Sequence, residues 1–157
     1  MIDELEVLLR SAVTGVLRTA LNFDVRVVPV EKESLGVESH IASCVGFIGR
    51  MTGVVYLYAQ AQFAARMTGI ILGLGEKEFG GDEMVNDAMG ELANMVVGNF
   101  KAALAERGQT CVLTIPSIVR GSNFSIESVT STTRRVLCFR CNSSDNLVVE
   151  ILIKPLD

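Results

Sequence analysis

The sequence predicts an α+β fold, a mostly antiparallel sheet packed against a long amphipathic helix and one or two further helices. Three observations carry this reading. Strand-like runs group at both ends of a central helical block rather than alternating strictly with helices. One uninterrupted helical pattern runs from about residue 82 to residue 107. Finally, 157 residues with 49% hydrophobic and 20% charged content suit one core, so residues 1–157 are expected to form a single domain.

The elements follow in chain order. From Ile2 to Leu21, the residues Ile2, Leu5, Leu9, Val13, Val16 and Ala20 recur at helical spacing and predict a first helix. Phe23 to Val30 alternates like a strand, and Pro29 assigns it to a sheet edge or a strand end. Ile41 to Ile48 and Gly53 to Tyr58 read as a hairpin across Gly49-Arg50-Met51-Thr52. Gln60 to Leu72 returns to helical spacing, and Gly73-Leu74-Gly75 ends it, opening a loop that reaches Gly81. Asp82 is the expected N-cap of the long helix and Gly108 its C′ residue. Strands are expected at Cys111 to Val119, Ser125 to Val129, Val136 to Cys141 and Leu147 to Ile153.

Composition narrows the function. Net charge is −4, and the 14 Lys and Arg are scattered, so no nucleic-acid partner is expected. The acidic start Asp3-Glu4-Leu5-Glu6 is unlike a secretory signal, and no apolar run approaches the roughly 20 residues that span a bilayer. A soluble cytoplasmic protein without membrane contact is the expectation. Cys44, Cys111, Cys138 and Cys141 sit mostly among apolar β-type residues, as reduced buried thiols do. Cys138-x-x-Cys141 lacks a second ligand pair for zinc, and on one strand its odd spacing points the thiols to opposite faces. No metal site is expected.

On the long helix, a step of about 100° per residue gathers Val85, Met89, Leu92, Val96, Phe100 and Ala103 into a core arc. Asp87, Glu91, Asn94, Gly98 and Lys101 fall together on the opposite side. A polar stripe is what any amphipathic surface helix shows. Asn and the two glycines Gly90 and Gly98 are nevertheless poor helix formers, each glycine costing about 1 kcal/mol relative to Ala. They let another backbone approach, either a partner's or a neighbouring element of the same chain.

Asp87-x-x-x-Glu91-x-x-Asn94, followed by Met95, Gly98 and Lys101, resembles the signature helix of the CheC and CheX chemotaxis phosphatases. The order of elements is also similar across nearly the whole chain. CheC-type members carry the motif twice; here it occurs once, which favours the CheX branch and its homodimers joined across their sheets. The resemblance implies a phosphatase acting on the aspartyl phosphate of a CheY-like response regulator. By the same resemblance, Asn94 would orient the attacking water and Glu91 would pair with the regulator's active-site Lys. Asp87 would orient Glu91 or touch the partner, a solvated carboxylate being an equally good reading, and Gly98 would provide clearance. No cofactor is expected on this chain; Mg2+ would belong to the regulator's acidic cluster.

The chemistry suits these residue types. An aspartyl phosphate is an activated mixed anhydride, so holding a water in line suffices and no strong base is needed. Other enzyme classes fit less well: His40 is the single histidine, Asp87 and Glu91 share one helix turn without a cleft, and Gly73-Leu74-Gly75 lacks the Lys-Ser/Thr of a phosphate loop. Two alternatives stay open, a non-catalytic adaptor that docks a regulator or motor-switch component, and a purely structural dimerisation domain.

Overall fold

The computed structural model describes residues 2–31, 34, 40–74, 81–122 and 132–154. Within these, the chain runs α1 (Ile2–Thr19), β1 (Val25–Val28), β2 (His40–Gly49), β3 (Thr52–Gln60), α2 (Ala61–Leu72), α3 (Asp82–Glu106), β4 (Cys111–Leu113), β5 (Ser117–Gly121), β6 (Thr133–Cys141) and β7 (Asp145–Lys154). The strands form one antiparallel sheet in the order β1-β6-β7-β3-β2-β4, with β5 also paired to β2. The α+β fold is therefore the observed one.

Each helix follows its apolar period and stops where the backbone leaves it. α1 buries Leu5, Leu9, Val13 and Val16 together with Leu8, Ala12 and Leu17. It ends at Thr19, short of Leu21, because Asn22 adopts a left-handed backbone (φ 57°) and the Phe23 amide turns back to the Leu17 carbonyl at 3.1 Å. Gly73 closes α2 at φ 67°, with the Leu74 amide donating to the Gly69 carbonyl at 2.8 Å. α3 ends as expected at Gly108 (φ 75°), where the Gln109 amide donates to the Leu104 carbonyl.

Two expectations need correction. Asp82 is the first helical residue of α3, not its cap; Gly81, at φ 89°, takes the cap position. The Asp82 carboxylate instead meets Arg120 of β5 at 3.3 Å, while its place in the first turn still suits the helix dipole. The run Cys111 to Val119 is two strands, broken at Thr114-Ile115-Pro116, because Thr114 exchanges hydrogen bonds with Gly46 through its amide (2.9 Å) and its hydroxyl (2.8 Å). Pro116, lacking an N–H, could not continue the ladder. The expected strand Ser125 to Val129 and most of the loop from Gly73 to Gly81 lie outside the described residues.

The sheet has two unlike faces. The inner face packs its apolar side chains against the helices in the main core, where Phe47 of β2 meets Phe100 of α3 edge-on at 5.6 Å between ring centroids. On the outer face Ala42, Tyr58, Cys138 and Val148 form a second cluster. There, buried Glu150 accepts hydrogen bonds from the Tyr58 hydroxyl (2.9 Å) and from Arg134 Nε. Burial and then the Glu150 carboxylate push the Tyr58 phenol well above its ordinary range.

Cys141 joins the main core and Cys138 the outer cluster, so the two thiols do point to opposite faces. Burial first, then Asp145 and Cys138, push the Cys141 thiol up to about 12, and burial also raises Cys138. A raised acid pKa favours the protonated form. The stability these thiols contribute is thus fully present below the ordinary thiol range and is lost as pH climbs through that range toward 12. In a Cys44→Ser, Cys111→Ser variant at pH 8, the remaining thiols should react with a disulfide reagent only as fast as the protein unfolds, and at once in urea. Rapid labelling of the native protein would contradict their burial.

Candidate functional site

α3 is 25 residues long, about 37 Å at 1.5 Å per residue, and lies at the centre of the helical layer. α1 and α2 both pack on it, and β2, β4 and β5 contact it from the sheet. Of the expected core arc, Val85, Met89, Leu92, Val96 and Phe100 are fully buried and Ala103 is half-buried against them. Ala88, Gly90, Ala93, Val97 and Leu104 are buried as well. The buried sector therefore spans roughly 200° of the helix at 100° per residue, wider than one sheet contact requires, because neighbours flank both sides.

The remaining window holds the expected site residues. Asp87, Glu91 and Lys101 are exposed, and Asn94 and Gly98 are half-buried. Glu91 and Asn94, three residues apart, place their Cβ atoms about 5–6 Å from one another on one face. No hydrogen bond or ion pair among the described residues engages the side chains of Asp87, Glu91 or Asn94. Their polar capacity faces outward and is free.

The two glycines part ways. A Cβ on Gly90 would lie 3.6 Å from Pro116 Cγ, an ordinary contact, so the Pro116 ring lies beside Gly90 and an alanine would fit there. A Cβ on Gly98 would meet nothing within 4 Å. Gly98 therefore leaves open space beside Asn94, one turn further along the helix.

Three neighbours of the stripe carry no signal in the local sequence. Arg120 Nε donates to Asn86 Oδ1 at 3.0 Å and its Nη2 to the Asp82 carbonyl at 3.0 Å, tying β5 to the first turns of α3. Pro116 seats on Gly90. Lys101, near the other end, draws down the Cys111 thiol, which burial on balance raises. Arg120 lies 34 and 38 positions from Asn86 and Asp82, Pro116 26 from Gly90 and Cys111 10 from Lys101, all beyond the reach of helical periodicity.

The polar stripe lies on the outer side of α3, with Asp87 and Glu91 exposed. A cavity of about 110 Å³ is lined by Glu4, Leu5, Leu8, Met51, Leu104, Arg107 and Gln109, and so lies at the far end of α3 from Glu91. Among the described residues, no group of three or more His, Cys, Asp or Glu could hold a metal ion. None of the helices described is long and apolar enough to cross a membrane.

Comparison with known proteins places this geometry. Residues 41–140 match the family model described as chemotaxis phosphatase CheX. The chain is similar to the crystal structure of a chemotaxis protein CheX from Desulfovibrio desulfuricans, at 26% identity and a TM-score of 0.78, over 96% of this chain and 99% of that one. CheX from Vibrio vulnificus has the same fold at 22% identity and a TM-score of 0.78, over 96% and 99% of the two chains. So does CheX in the CheX-CheY-BeF3-Mg2+ complex from Borrelia burgdorferi, at 20% identity and a TM-score of 0.75, over 93% and 95%. No curated protein matches the sequence.

The open space at Gly98 makes a stability prediction. Gly98→Ala should stabilise the isolated protein by roughly 0.5–1 kcal/mol in urea unfolding, the gain expected when a mid-helix glycine without steric neighbours becomes alanine. A loss of stability would mean that the space is already used within the chain.

Proposed function

The chain belongs to the chemotaxis phosphatase CheX family, and from that premise we propose that it hydrolyses the aspartyl phosphate of a CheY-like response regulator with Glu91 and Asn94. The observation that carries this reading is the unpartnered pair Glu91 and Asn94 on the one open window of a helix otherwise buried over most of its circumference.

The Asn94 carboxamide both accepts and donates. It holds the attacking water through its oxygen while its NH2 group meets a phosphoryl oxygen, as glutamine does in GTPases. The proton leaves with the departing carboxylate or to solvent, and no base of this chain is needed. Glu91 pairs with the regulator's active-site Lys and fixes the depth to which Asn94 enters. Asp87, one turn earlier, contacts the partner or steadies Glu91, and Gly98 gives the docked backbone clearance. No cofactor is bound by this chain. The Borrelia burgdorferi structure is a complex with CheY, BeF3 and Mg2+; carried over to this chain, the partner is a regulator of that class and the ion sits in the regulator's own acidic cluster.

Residues 1–157 act as one CheX-like domain in this reading, and the fold match over 96% of the chain supports it. A homodimer across the sheets is supported by Ile48, Val112 and Val119, which are 50% or more exposed. Their register beside Ala42 on β2, β4 and β5 puts them on the outer face. A cytoplasmic setting follows from a partner of this kind.

The test is decay of the phosphorylated regulator in Mg2+, alone, with the protein and with Asn94→Ala. The intact protein should speed phosphate loss, and Asn94→Ala should lower that acceleration about a hundredfold or more while still binding, the scale on which a single positioned polar group acts. Binding without any acceleration by the intact protein would leave an adaptor instead.

A further inference from the structure

Ile115 is 87% exposed, the most exposed large apolar side chain described. It sits between two anchors. Before it, Thr114 exchanges two hydrogen bonds with Gly46, whose missing side chain makes the room: a Cβ there would lie 3.1 Å from Thr114 Cγ2. After it, Pro116 rests on Gly90, and Arg120 fastens the same strand to Asn86 and Asp82 of α3. The segment is thus held at both ends rather than free to fold its isoleucine onto its own chain.

Its position is defined by the helix. Gly90 and Asn94 are four residues apart on one ridge of α3, so Pro116, beside Gly90, lies about 6 Å before Asn94 along the helix. Ile115, the residue before Pro116, stands at the border of the stripe. The stripe itself is polar and, by its chemistry, suits any regulator with a phosphoaspartate and a lysine. Selecting one regulator among several needs a contact outside those shared groups, and an apolar side chain held in place supplies one at little entropic cost.

We propose that Ile115 is a specificity-determining contact, an apolar ledge that packs on a hydrophobic side chain at the rim of the regulator's phosphorylation site. The proposal rests on the phosphatase reading above. Ile115 touches no reacting group, so its removal acts on association and not on the chemical step.

The experiment compares Ile115→Ser, Ile115→Leu and Val7→Ser, the last an exposed valine of α1, in two readouts. The first is steady-state dephosphorylation of the phosphorylated regulator. The second is calorimetric binding to the same regulator loaded with beryllium fluoride and Mg2+, with each substitution placed on an Asn94→Ala background. Ile115→Ser should raise KM and Kd about tenfold with kcat within twofold, while Ile115→Leu and Val7→Ser stay near the parent. Unchanged KM and Kd in Ile115→Ser, or an equal rise in Val7→Ser, overturns the ledge. A tenfold loss of binding in Ile115→Ser from a protein that accelerates no regulator keeps the ledge and removes the phosphatase reading.

Discussion

The burial of α3 is the constraint on which the rest depends. Val85, Met89, Leu92, Val96 and Phe100 fill the space over the sheet, and each would lose several kcal/mol of burial and packing if the helix turned away. A rotation by a single residue, about 100°, would carry Glu91 and Asn94 toward that core. Burying an unpaired carboxylate there is far costlier than leaving it in water. Side contacts then remove the remaining freedom: Phe47 against Phe100, Pro116 against Gly90, Arg120 against Asn86. The outward aim of the two polar residues is a consequence of the core rather than of any bond they make themselves.

That arrangement suits a reaction whose difficult parts reside in the partner. A convex helix cannot surround a small substrate or exclude water from it, but it can enter another protein's concave site. In the proposed reaction the activated anhydride, the metal and the lysine are features of a phosphorylated regulator, and this chain would add an amide and a carboxylate at fixed spacing on a rigid rod. Catalytic power obtained this way would depend on positioning.

How much was legible in the sequence follows from how local each determinant is. The helical period of α3, its stop at Gly108, the hairpin around Arg50-Met51 and the opposite faces of Cys138 and Cys141 are properties of neighbouring residues, and they were readable. Pro29, read as a sheet edge or a strand end, lies just past the end of β1, itself the edge strand of the sheet. Long-range partners decided the rest. Asp82 is not a cap because Arg120 claims its carboxylate. The segment after Cys111 splits because Thr114 pairs with Gly46, 68 positions earlier. Gly90 and Gly98 look alike as sequence, and only the fold shows that an added Cβ would meet Pro116 at one and nothing within 4 Å at the other.

The central claim is that the open face of α3 is the surface that meets a phosphorylated regulator. Amide hydrogen exchange on this protein, free and bound to a regulator activated with beryllium fluoride and Mg2+, tests it most directly. The account predicts added protection along residues 87–101 of α3 and at 114–115, with strands β6 and β7 unchanged. Protection confined to those strands, with α3 exchanging as in the free protein, would contradict it.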